Sequence, residues 1–554
     1  MSQTQTFTPK LFTLIKQGYT KAHLKADLIA GLTVAIVALP LAMALAIASG
    51  ASPDKGLVTA VVAGFFISFL GGSRFQIGGP TGAFVIIVFN IIAKHGYDGL
   101  VLATLMAGIM LIIAGYAHFG QVIKFIPYPV LTGFTAGIGL TIASSQVKDF
   151  LGLQMIDVPV DFIPKWQAYF TALDTTSMAS LIIGLGTLIL ILALRKYNPK
   201  IPCFLVGVAL AALIVNIFQM PIDTIGSRFP QMPTGLPMPS FPDWNYEKIT
   251  SVIPSAFTIA ILAGIEALFS AAVADGMTGY KHRPNQELIG QGFANIASAF
   301  FAGLPATGAI ARTASNIRAG GKTPIAGIFH ALFLLIFMLF AMDIVAYIPM
   351  TALAAILFIV AWGMSEVRHF IHILKLSKTD RFIMLLTFFL TVLVDLTVAI
   401  GVGLTLACLL FMKHMTDTVK CECQKNTTFI DEKDDKNKIE RAELDHNVEI
   451  FQITGPFFFG VASDLIDTLK AMGQLPKVLI IRMRLVPYLD STGAHALEDL
   501  AQICHTEGTQ LILSGLQIQP MCFLRKTLLT AYNHVTFCSD DESDITKARE
   551  IINK

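Results

Sequence analysis

Charge is the first thing this sequence is short of. Asp, Glu, Lys and Arg make up 14% of its 554 residues, against about 25% in a soluble domain. That excludes a wholly water-solvated chain. The basic and acidic totals nearly cancel, 40 against 38, and no Lys/Arg block offers the electrostatic footprint that nucleic-acid binding needs. Cysteine is sparse too. The seven cysteines follow neither a disulfide framework nor a zinc spacing. Five lie from Cys421 onward, in a stretch read as facing a reducing compartment, where Cys421-Glu422-Cys423 reads as linker before metal clip. No nucleophile–base pair, phosphate loop or metal motif is present, so the sequence supports neither an enzyme nor a bound cofactor. The N-terminus lacks a signal-peptide cleavage pattern.

What is abundant is apolar sequence: hydrophobic residues are 54% of the chain. After a polar entry, residues 1–27, with Lys10, Lys16, Lys21 and Lys25, apolar runs occupy 29–48, 56–70, 83–93, 98–115, 128–145, 179–194 and 202–218. A Pro/Gly-rich loop follows Gln219 to about Asn245. Runs resume at 252–274, 288–303, 308–317, 325–341, 350–363, 382–394 and 397–413. The count is about seven plus seven, an α-helical polytopic membrane protein whose surroundings are the lipid bilayer. Basic clusters at 195–200, 281–283 and 366–381 alternate with poorly basic stretches at 219–247 and 343–349. By the positive-inside rule this places both termini in the cytoplasm.

Two of these runs, 83–93 and 308–317, are too short for the roughly 20 residues a span requires. Each follows a broken segment, Gly78-Gly79-Pro80-Thr81-Gly82-Ala83 and Leu304-Pro305-Ala306-Thr307-Gly308-Ala309. Interrupted segments at matching places in two halves point to a transporter's binding site. Two half-helix N-termini meeting at midplane would aim their positive ends and free N–H groups at one spot. Gly78, Gly79, Gly82 and Gly308 would let an oxyanion approach the backbone; Thr81 offers a hydroxyl; Ala309, Ile310 and Ala311 would present amides. Gln76 precedes the first break, and Pro40 interrupts the first span, where freed backbone groups call for a cavity or protein surroundings. Arg312 and Glu266 are charges at membrane depth, expensive and therefore functional candidates. Ser270 shares a helical face with Glu266. His330 reads as a packed helix residue, Asp395 as a turn between the last spans, and Glu287 with Lys281-His282-Arg283 as cytoplasmic-loop charges.

From Thr416 the composition changes. Residues 416–446 form a charged linker after a transport region of 28–415, and 447–554 read as a soluble α/β domain. Strand patterns at Val448–Ile453, Lys477–Arg482 and Leu511–Leu513 alternate with helices near 461–472, 490–504 and 519–532.

Gly79-Pro80-Thr81, Asn285-Gln286-Glu287-Leu288-Ile289-Gly290-Gln291-Gly292 and Arg312 followed by Ala319-Gly320-Gly321-Lys322-Thr323 resemble the sulfate permease (SulP) family. The tail with Asp490-Ser491-Thr492-Gly493 resembles that family's STAS domain, shared with bacterial anti-sigma-factor antagonists. In flavour the chain is similar to bacterial dicarboxylate and bicarbonate members. The resemblance implies a seven-plus-seven inverted repeat divided into core and gate domains, moving by elevator-like alternating access. It also implies a homodimer and transport of a small anion such as sulfate, bicarbonate or a dicarboxylate. It places Arg312 next to the anion and Glu266 and Ser270 at the coupling-ion site. Together with the residue reading, Gln76, Gly79, Thr81, Ala309, Ile310, Ala311, Arg312 and Pro40 are expected around the anion, and Glu266, Ser270 and Gly308 around the coupling ion. Sodium-coupled relatives use a further hydroxyl where this chain has Ile310. A carboxyl at membrane depth carries a proton instead, since its neutral form costs less to bury. Proton-coupled uptake is therefore the leading expectation, with sodium coupling, a passive channel and a STAS-based signalling scaffold as alternatives. Ser491 matches the phosphorylated serine of the antagonists; Asp490-Ser491 suits a helix N-cap equally. The STAS domain would face a cytosolic partner.

Overall fold

The computed structural model describes residues 7–121, 127–155, 158–159, 161–198, 201–230, 233, 235–242, 245–394, 396–423, 447–458 and 475–553. The expected helix near 461–472, Asp395 and most of the 416–446 linker lie outside them. The chain forms two compact units, Met1–Thr405 and Leu406–Lys554.

Unit 1 is helical. Its elements are α1 (Lys10–Gln17), α2 (Lys21–Ala48), α3 (Pro53–Leu70), β1 (Gly78–Gly79), α4 (Phe84–Tyr116), α5 (Tyr128–Leu151), α6 (Phe162–Thr171), α7 (Met178–Tyr197) and α8 (Cys203–Ile217). Then come α9 (Ile225–Arg228), α10 (Tyr246–Thr278), α11 (Pro284–Phe300), β2 (Thr307–Gly308), α12 (Ile310–Arg318), α13 (Ile325–Phe340), α14 (Met342–Val345), α15 (Met350–Met364), α16 (Val367–Leu374) and α17 (Lys378–Leu393), with α18 (Leu396–Thr418) crossing into unit 2. Among the described residues, eight helical spans are long and apolar enough to cross a membrane. Their ends are set locally. Thr20, Ser177, Asn245 and Ser377 cap α2, α7, α10 and α17 with side-chain oxygens, and Gly152 and Gly279 close α5 and α10 in the left-handed region.

Helices and hydropathy runs do not map one to one. The runs 83–93 and 98–115 share α4, which turns at Gly96 (φ 72°, ψ 178°). Residues 84–95 are thus the expected half-helix, and the chain kinks at a residue free to take positive φ. α15 and α16 are likewise one apolar stretch, bent where Glu366 takes φ 39°.

Two bundles result. In one, α2, α3, α4, α10, α11, α12 and α13 pack on one another; in the other, α5 packs on α15, α17 and α7. The contacts are close because small residues meet backbone. A Cβ on Gly56 would lie 2.0 Å from the Ala42 carbonyl oxygen, and one on Gly133 2.3 Å from that of Met384.

Unit 2 has a five-stranded sheet in the order β3-β4-β5-β6-β7, with β3 Lys420–Cys423, β4 Val448–Thr454, β5 Val478–Leu485, β6 Gln510–Ser514 and β7 Val535–Cys538. The last four strands are parallel and β3 is antiparallel to β4. Leu479, Ile481, Leu511 and Leu513 bury one face of the sheet beside Leu497 and Leu500 of the helix Ser491–Glu507. Asp490 caps that helix, accepting from Gly493 N at 2.7 Å, and Ser491 is exposed. Arg482 is buried in a two-pronged ion pair with Asp544 at 3.0 Å, and Ser514 Oγ donates to the same carboxylate at 2.7 Å.

Candidate functional site

The two broken segments meet. β1 and β2 pair antiparallel, Gly78 opposite Gly308 and Gly79 opposite Thr307. From this two-residue sheet the chain leaves into α4 on one side and into α12 on the other. Both half-helices therefore start at the same place, and their positive ends converge there.

Glycine is required at the crossing for stated reasons. Gly79 has φ 149°, and a Cβ there would lie 2.1 Å from Arg312 Nη1. A Cβ on Gly308 would lie 1.3 Å from Gln76 Nε2. Gln76 is buried against the strand and donates from Nε2 to the Ala267 carbonyl at 3.2 Å; its Oε1 has no partner among the described residues.

α10 docks on the crossing along one face. Ala263 O accepts from Thr307 Oγ1 at 2.8 Å, Ala267 O accepts from Gln76, and Ser270 Oγ meets Thr313 Oγ1 at 3.3 Å. Glu266 stands on this face, half-buried, and accepts from Thr81 Oγ1 at 2.7 Å. The carboxylate is thereby tied to the turn that starts α4.

Several expected site residues take other positions than anticipated. Ala309 does not present its amide to a ligand: that N–H is given to the Ile77 carbonyl at 2.9 Å, extending the strand pairing. The first helical turn of α12 instead leaves the N–H groups of Ile310, Ala311 and Arg312 without protein acceptors among the described residues, as a helix start dictates. Ile310 and Ala311 are exposed there. Ser270, paired with Glu266 by spacing, is wholly buried and engaged with Thr313, so the two residues serve different partners. Arg312 is only 2% exposed and lies behind β1, Nη2 on the Pro80 carbonyl at 3.1 Å and Nη1 on that of Gly78 at 3.4 Å. No carboxylate pairs with it among the described residues. Its charge reaches the front of the crossing through one strand thickness, not by open contact. Pro40 is buried in mid-α2, which packs on α12. His330 is buried, and among the described residues neither ring nitrogen has a hydrogen-bond partner, a packed residue as expected.

The second bundle closes the site. A Cβ on Gly82 would meet Met364 Sδ at 2.5 Å and Ile142 Cδ1 at 3.3 Å. One wall is therefore polar backbone, Thr81 and Glu266; the facing wall is apolar.

Sequence reasoning missed the groups that hold the crossing in place. Thr313 Oγ1 accepts from Ile77 N at 3.1 Å, and Asn316 Nδ2 donates to Phe75 O at 2.8 Å. Asn295 clamps both backbone groups of Ala306. Glu287 is not a loop charge. It is fully buried, with Oε2 accepting from Gly72 N and Ser73 N, each at 2.8 Å, and Oε1 from Gln291 Nε2 at 2.8 Å. Asp27 does the same for the chain after α12, accepting from Lys322 N, Thr323 N and Thr323 Oγ1. The available signal was Asn285 to Gly292, a polar-rich helix start among apolar helices.

Comparison with known proteins now decides the family. The model of the sulfate permease family matches residues 24–387, and that of the STAS domain matches 441–540. The chain belongs to the sulfate permease family. It is 38% identical over 513 residues to YvdB of Bacillus subtilis, a protein named for sulfate transport, covering 92% of this chain and 95% of that one. It is 32% identical to the bicarbonate transporter BicA of Picosynechococcus, with 89% of each chain covered. The solved transmembrane domain of a cyanobacterial BicA superposes with a TM-score of 0.63 at 31% identity over 69% of this chain and 99% of that one. SLC26A9 shares the fold alone, with a TM-score of 0.85 at 19% identity over 98% and 93%. This sulfate permease family member is thus a multi-pass membrane protein with a STAS domain, and its relatives are transporters, not enzymes.

Proposed function

We propose that the chain is a secondary active transporter that takes up a small oxyanion or carboxylate at the β1–β2 crossing, with a proton carried on Glu266. The anion would sit against the free N–H groups of Ile310 and Ala311 and the Thr81 hydroxyl, with the buried Arg312 charge behind the strand. Gly79, Gly308 and Gln76 shape this cradle, and Pro40 and Ala309 support it from α2 and the strand end. Sulfate and bicarbonate are the substrates of relatives; dicarboxylate fits the same donors.

The observation that carries this reading is the Thr81–Glu266 hydrogen bond at 2.7 Å. An ionised Glu266 repels an anion at the adjacent helix start and occupies the Thr81 hydroxyl. Protonation removes the charge and weakens the carboxyl's hold on the hydroxyl, so anion and proton are favoured together. Sodium is the weaker candidate. Ile310 supplies no oxygen, and Ser270 and Gly308 are committed to the interior. The inner membrane, cytoplasmic termini, a homodimer and movement of one bundle against the other complete the proposal. Ser491, exposed at its helix start, is accessible for modification or for a cytosolic partner.

Uptake of labelled sulfate, bicarbonate and succinate into proteoliposomes, each competed by the others, tests the function. Saturable uptake abolished in Thr81→Val supports it; equal uptake in empty vesicles contradicts it.

A further inference from the structure

α6 carries a lysine in an unusual place. Lys165 is 6% exposed, and its Nζ lies over the Phe89 ring at 6.0 Å from the centroid. Among the described residues no carboxylate pairs with it; Asp161 at the helix start acts only from beyond ion-pair distance. A buried cation that, among the described residues, meets a ring face and only a more distant carboxylate is poorly compensated. Cation–π attraction is a weak compensation beside the cost of burying a charge with no close counter-ion.

Its position relative to the crossing is given by two helices. Phe89 is five residues beyond the start of α4, about 8 Å along the axis at 1.5 Å per residue. Trp166, the next residue on α6, donates from Nε1 to Ser144 Oγ at 3.2 Å. Ser144 is two residues past Ile142, the side chain that approaches Gly82 from the second bundle. Measured along α4, Lys165 therefore sits one to two turns from the Gly82–Ile142 contact, where the two bundles meet, while along α5 Ser144 lies only about 3 Å past Ile142. Gly50, at the end of α2, lines the same place: a Cβ there would lie 3.2 Å from Phe89.

We propose that Lys165 is the entry cation for the transported anion on this face of the protein, parked on Phe89 while that face is shut. The inference rests on the anion-transport reading. Separation of α4 from α6 would unseat the ammonium and expose it one to two turns outside the cradle. There it attracts the anion and sets the preference for divalent over monovalent species.

The test uses Lys165→Gln, Lys165→Arg and Phe89→Leu in the full chain. KM for sulfate and for bicarbonate is measured separately from each face of oriented proteoliposomes. Lys165→Gln should raise KM from the α6 face by about tenfold or more for sulfate, and less for bicarbonate. KM from the opposite face should not change, and Lys165→Arg should restore it. Phe89→Leu should lower KM on the α6 face, because the ammonium no longer has to leave the ring. The opposite signs separate this role from simple packing, which both substitutions would weaken alike. An unchanged KM in Lys165→Gln overturns the proposal. So does an equal rise from both faces, or a rise in Phe89→Leu. Should Lys165→Gln fail to fold, the sign of the Phe89→Leu effect decides alone. Absence of transport by the wild-type protein overturns the transport reading and this inference with it.

Discussion

Gly308→Ala tests the crossing at its tightest point. The added Cβ would lie 1.3, 2.3 and 2.8 Å from Nε2, Cδ and Cγ of Gln76. Moving the amide tip alone is not enough; the whole buried side chain must leave. That breaks its hydrogen bond to Ala267 O, a loss of about 1 kcal/mol. Forcing a methyl into a packed interior adds about 1–3 kcal/mol. The sum is about 2–4 kcal/mol, concentrated where β2 pairs with β1. The assay is unfolding of detergent-purified protein in a double-mutant cycle with Gln76→Ala. Gly308→Ala alone should be strongly destabilised. The double variant should recover most of the loss, because the small side chain at 76 leaves room. The cycle should therefore show a coupling of about 2 kcal/mol, far above the few tenths expected for independent sites. Additive effects would refute the reasoning, as would a Gly308→Ala protein of wild-type stability.

Glu287→Gln replaces an oxygen that accepts from Gly72 N and Ser73 N, or the one facing Gln291, by a donor. At least one buried donor is left unmet, and stability should fall by about 1–3 kcal/mol, read as a lower melting temperature with reduced uptake. Asp544→Asn should unfold the sheet of unit 2, since removing one partner of a buried ion pair costs about 3–5 kcal/mol; circular dichroism of isolated 447–554 checks this. Burial pushes the Cys504 thiol up to about 12. With the thiolate as the reactive form, Cys504 should resist maleimide at pH 8 and react only after unfolding, whereas exposed Cys522 labels at once; peptide mass spectrometry separates them.

The crossing itself was legible in the sequence. Proline, threonine and paired glycines interrupt two apolar runs, and no continuous helix can contain them. Hydropathy says that a residue lies at membrane depth; it does not say what it faces there. Glu266 and Ser270 share a helical face by spacing, yet one reaches Thr81 and the other Thr313. That division depends on which segment docks against each turn of α10. Ala309 was assigned a free amide because it precedes a helix. The strand pairing that uses the amide is a contact between residues over two hundred positions apart. Glu287 read as a loop charge because its partners, Gly72 and Ser73, are as distant. Lys165 gave no signal at all, since a lysine between spans is ordinary until Phe89 is found beneath it.

The central claim is that Glu266 carries a proton with the anion. The most direct measurement is initial uptake of labelled anion into proteoliposomes under an inward proton gradient or an inward sodium gradient, in wild type and Glu266→Gln. The account predicts accumulation driven by the proton gradient and indifferent to sodium. It also predicts that Glu266→Gln equilibrates anion but no longer concentrates it. Uptake that requires sodium and ignores the proton gradient would contradict it, as would a Glu266→Gln protein that still concentrates anion against its gradient.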